Sequence, residues 1–77
     1  MQRFSENIPE ECLRHLLFMI NQGGYSISDK LTYTIGYCAA LLDAEILSPT
    51  EWLQTYDLCS EIIYENEIHP KNHPKQG

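Results

Sequence analysis

Positive charge is scarce in this sequence. Five Lys and Arg face eleven Asp and Glu, a formal net charge of −6, and between Glu6 and Ile68 the only basic residues are Arg14 and Lys30. An anionic body of this kind repels nucleic-acid phosphates and anionic lipid and attracts basic surfaces. Neither direct nucleic-acid binding nor a membrane partner is therefore expected. Long apolar runs are also missing: the longest, Ile35 to Leu42, falls far short of the roughly 20 residues that span a bilayer. Met1-Gln2-Arg3-Phe4 leads into polar residues and not into an apolar stretch, so no secretory signal is read and a cytoplasmic location is the expectation.

Cysteine is sparse and unpaired in pattern. Cys12, Cys38 and Cys59 are odd in number and form no CxxC, which excludes a disulfide-stapled secreted scaffold and suggests reduced thiols in a core. No alternating run rich in β-branched residues appears, so a sheet is not expected. Gly23-Gly24 lacks the following lysine of a phosphate loop. At 77 residues the chain is one domain at most, with a core so small that a metal or a second subunit would add materially to its stability.

What the sequence does contain is helical periodicity. A first helix is read from Asn7, as N-cap, to about Asn21, with Pro9 in the first turn and Glu10 at N3. Its apolar stripe is Ile8, Cys12, Leu13, Leu16, Leu17 and Ile20. A second runs from Ser26, with Asp29 as a weak capping box, to about Ile46. It carries two apolar faces, one of Leu31, Ile35, Cys38, Leu42 and Ile46, the other of Tyr33, Tyr37, Leu41 and Ala44. That makes it the expected central helix. A third begins at Ser48-Pro49-Thr50-Glu51, with a Leu47 to Trp52 staple, and continues to about Glu67. Its buried side is read as Trp52, Leu53, Tyr56, Cys59, Ile62 and Ile63.

The expected architecture is an all-α, three-helix domain over residues 1–68. Residues 69–77, with two prolines and no apolar side chain, are read as a disordered tail.

Candidate chemistry is thin. Cys12 and His15, at i and i+3, lack the further ligands that zinc requires. His69 and His73 stand beside Pro70 and Pro74, which oppose a helix there. No cofactor, metal site or catalytic set is read, and the chain is not expected to be an enzyme. A helix-turn-helix reading meets an acidic ridge, since Asp57, Glu61 and Glu65 repeat at i, i+4 and i+8 on the third helix. The same ridge, with Glu51 nearby, would attract a basic protein surface, and Tyr33 and Tyr37 are the tyrosines left to anchor it. Gly36, Ala40 and Ala44 form a ridge of small residues that permits close helix approach. A partner is expected above Gly36, and these three are the candidate seam of a homodimer.

The segment Leu41-Leu42-Asp43-Ala44-Glu45-Ile46-Leu47-Ser48-Pro49-Thr50-Glu51-Trp52 resembles the helical hairpin of short oligomerisation modules of the SHOCT type, with Glu45 where that pattern has glycine. In size, acidity and lack of cofactor motifs the whole chain is similar to small accessory proteins of phages and prophages. That likeness implies a protein that binds and disables a host factor, CRISPR or restriction machinery included. The leading expectation is thus an interaction module that blocks a host nucleic-acid-acting protein. The alternatives are a homo-oligomeric structural or regulatory subunit and a small metal or thiol protein built on Cys12 and His15.

Overall fold

Local chemistry sets where each helix starts and stops. A computed structural model describes residues 4–68, with α1 at Glu10–Ile20, α2 at Ile27–Asp43 and α3 at Pro49–Ile68. The tail reading for 69–77, and the His69 and His73 pair within it, lie outside the described residues.

α1 starts later than the sequence suggests. Asn7 is not its cap. Pro9 occupies the N-cap position with extended backbone and contributes no side-chain bond. The residue before a proline is held out of the helical region, so Ile8 cannot belong to the first turn. Glu10 and Glu11 instead place negative charge at the dipole's positive end. At the other end Asn21 Nδ2 donates to the Leu17 carbonyl at 2.8 Å, and Gly24, at φ +89°, turns the chain towards α2.

α2 opens as expected, with Ser26 Oγ accepting the Asp29 N–H at 3.0 Å. It closes three residues before Ile46. The Glu45 N–H donates to the Leu42 carbonyl and the Ile46 N–H to the Leu41 carbonyl, each at 2.9 Å. With Glu45 at φ +64° this is a Schellman C-terminus, and a glutamate fills its left-handed position. α3 then begins with a reciprocal capping box. The Ser48 N–H donates to Glu51 Oε1 at 2.8 Å, and the Glu51 N–H donates to Ser48 Oγ at 3.2 Å.

α2 and α3 form the principal packed pair, and α1 lies against both about equally. The bundle is therefore organised around an antiparallel pair and not around α2 alone. Its main core holds Leu16, Ile20, Cys38, Cys59 and Ile63. A second cluster at the α2–α3 turn holds Ile8, Leu41 and Leu47, while Trp52 packs on the main core, so Leu47 is drawn to Ile8 and Leu41.

Two threonines redraw the buried stripes. Thr34 and Thr55 are fully buried, each donating its hydroxyl at 2.8 Å to the carbonyl four residues earlier, Lys30 and Glu51 respectively. With the hydroxyl satisfied, the methyl group packs like an apolar side chain. The α2 stripe thus runs through Thr34, Cys38 and Leu41, leaving Ile35 and Ile46 exposed. The α3 stripe runs through Thr55, Leu58, Cys59 and Ile63, and Leu53 stands exposed. No helix among the described residues is long and apolar enough to cross a membrane.

Candidate interaction surface

The solvent side of α3 follows from its core side. At about 100° per residue, burial of Thr55, Cys59 and Ile63 sends Asp57 and Glu61 to the far face and Glu65 to its shoulder, and all three are exposed. Among the described residues none of these carboxylates has a hydrogen-bond or ion-pair partner. All the acidic residues of the chain lie within 4–68, alongside Arg14 and Lys30 alone as basic ones.

Glu51 does not belong to that free face. Besides closing the capping box, its Oε2 accepts the Ser5 hydroxyl at 2.8 Å and an N–H of the Asn7 amide. The Ser48 backbone N–H first, then Ser5 and Asn7, hold its carboxyl down to about 2. Its charge is committed to joining the segment before α1 to the start of α3. The sequence places Glu51 beside the ridge because it sees the spacing along α3 and not the contacts with Ser5 and Asn7.

Tyr33 and Tyr37 are half-buried and engaged with α1. The Tyr37 ring stacks on His15, with centroids 5.7 Å apart and planes 28° from parallel, and Tyr33 meets the same imidazole at 6.4 Å. Burial, then a hydrogen bond with Cys12, pushes the Tyr37 phenol up to about 12, and burial also raises Tyr33. Both rings thus help to seat α1 on α2.

Gly36, Ala40 and Ala44 are all exposed. A Cβ built on Gly36 would meet nothing within 4 Å, so no part of the described chain fills the space above it. The partner expected above Gly36 is therefore not supplied by the described part of this chain.

The thiols are distributed by burial. Cys38 and Cys59 are in the core, where desolvation raises them to about 11 and about 12, and Cys12 is half-buried. Among the described residues no group of three or more His, Cys, Asp or Glu is placed to hold a metal ion.

Three features were not read from the sequence. Leu53 joins Tyr64 and Ile68 as exposed apolar groups on α3. Their spacing of eleven and four residues was available as a second, outward stripe, but the inward period dominates the reading of this helix. An open pocket of about 190 Å³ lies between α1 and α2, lined by Met19, Ile20, Tyr25, Asp29, Lys30 and Tyr33. Trp52 stacks on Tyr56 at 6.3 Å, with its buried indole N–H lacking a partner among the described residues. In comparison with known proteins, no family model, no curated protein and no solved structure matches this chain.

Proposed function

We propose that this chain is an interaction module that works by occupying a basic surface on another protein. The observation that carries the reading is the acidic row Asp57, Glu61 and Glu65 on the solvent side of α3, without partners among the described residues. Unpaired charges on an exposed helix contribute little to folding, yet they steer association with a surface of opposite sign. The basic grooves that bind nucleic acid are surfaces of that kind. Occupying one would inhibit a host nucleic-acid-acting protein, as the likeness to phage accessory proteins implies.

The test is capture at stepped salt by the wild-type chain and by the triple reversal D57K/E61K/E65K. The expected outcome is retention of basic proteins by the wild type, released at moderate ionic strength, and loss of that set by the reversed variant. Retention of the same set with the same salt dependence by both chains counts against the reading.

A second reading, a homodimer closed through Gly36, Ala40 and Ala44, is supported by the open space over Gly36. Light scattering of the wild type and Ala40→Leu decides it, since a leucine in a close helix crossing would drive a dimer apart.

A further inference from the structure

We infer that the outer face of α3 is a docking strip for a basic amphipathic helix of another protein. This inference rests on the proposed reading and names the kind of element that would be bound. Leu53, Tyr64 and Ile68 are 53 %, 49 % and 68 % exposed. At the helical period they fall on one side of α3, in line with Asp57 and Glu61 between them. Leu53 and Tyr64 lie about 16 Å apart along the axis, at 1.5 Å per residue over eleven positions.

The geometry selects the occupant. Three apolar groups in one line, one side chain wide, match the apolar stripe of a single helix. The charge selects its composition. Asp57 and Glu61 sit between the apolar anchors without partners of their own among the described residues. A partner helix whose Lys or Arg residues flank its apolar stripe would meet them, and an acidic helix, including a second copy of α3, would be repelled. The strip is also preformed, because the Ser48–Glu51 box and the Ser5 bond fix the start of α3 before any partner arrives.

The experiment uses the full chain, labelled with ¹⁵N, and an 18-residue peptide of Leu and Lys in helical period. A control peptide has the same composition with Leu in strict alternation. The helical-period peptide is expected to shift the amides of 53–68 on the outer face. L53S/Y64S is expected to weaken its binding at least tenfold at unchanged Tm, and D57K/E61K to do the same. If L53S/Y64S binds as the wild type does while D57K/E61K does not, the docking strip is wrong but attraction to basic surfaces stands. Equal binding by the alternating peptide, or shifts centred on the α1–α2 pocket, also overturns the strip. If both double variants bind like the wild type, the strip and the electrostatic reading beneath it fail together.

Discussion

The hydroxyl of Ser5 donates to the carboxylate of Glu51 at 2.8 Å, across forty-six residues of sequence. The same carboxylate caps α3 by accepting the Ser48 N–H, so one side chain closes a helix and fastens the chain's beginning to it. A carboxylate held down to about 2 contributes stability above the ordinary carboxyl range, and that contribution is lost as pH falls from about 4.5 towards 2. Glu51→Gln is therefore expected to lower Tm at pH 7, and Glu51→Ala to lower it further. The gap between wild type and Glu51→Gln should close as the pH approaches 2 in a series of thermal melts. A gap that stays constant from pH 7 to 2 would show that the charge is not what matters.

Glu45 holds a left-handed backbone at φ +64°. For a residue with a Cβ that conformation costs about 1–2 kcal/mol, partly offset on changing to glycine by the greater freedom of the unfolded chain. Glu45→Gly should stabilise the fold by up to about 1 kcal/mol, a rise of several degrees in Tm for a domain of this size. Glu45→Val should do the opposite, since β-branching makes the left-handed region worse. Differential scanning calorimetry of the pair checks both signs.

Gly36 offers a complementary case. Its position is helical, its φ is ordinary and a Cβ there meets nothing within 4 Å. Gly36→Ala is expected to raise the stability of the isolated chain by about 1 kcal/mol through helix propensity alone. A drop in stability on this change, together with a fall in apparent mass, would place a tightly packed second copy over the site.

The three thiols should react in two classes. Cys38 and Cys59 are buried and raised to about 11 and about 12, whereas Cys12 is half-buried. Since the thiolate is the reactive form, a thiol-specific reagent at pH 8 is expected to modify Cys12 first in the native protein and all three in denaturant. Mass mapping of the first adduct identifies it, and early modification of Cys59 would contradict the core described above.

Much of the architecture was legible in the sequence, and the exceptions share a cause. Ser48, Pro49 and Glu51 announce α3 because their chemistry is local, and the structure realises the capping box with both bonds. The apolar stripe of α1 is legible for the same reason, with Leu16 and Ile20 fully buried. Thr34 and Thr55 escaped notice because a threonine counts as polar until its hydroxyl is seen to be satisfied by its own helix. Glu51 is legible as the N3 residue of the capping box, but its further bonds to Ser5 and Asn7, which take it out of the acidic face, are not, because those groups are more than forty residues away. Asp57, Glu61 and Glu65 were placed correctly on the solvent side, since exposure of a charged stripe follows from burial of the opposite one.

α1 is held to α3 by polar ties near each end: Ser5 and Asn7 on Glu51 before its first turn, and the Asn66 amide on Asn21 just after its last. Such an arrangement works like a strap with two buckles, laid across a helical hairpin whose connecting turn is capped without it. Opening both buckles would expose the Leu16 and Ile20 side of the core while leaving α2 and α3 joined. Hydrogen exchange should accordingly divide the protein into two cooperative units, with the amides of α1 released through a smaller opening free energy than those at the centre of α3.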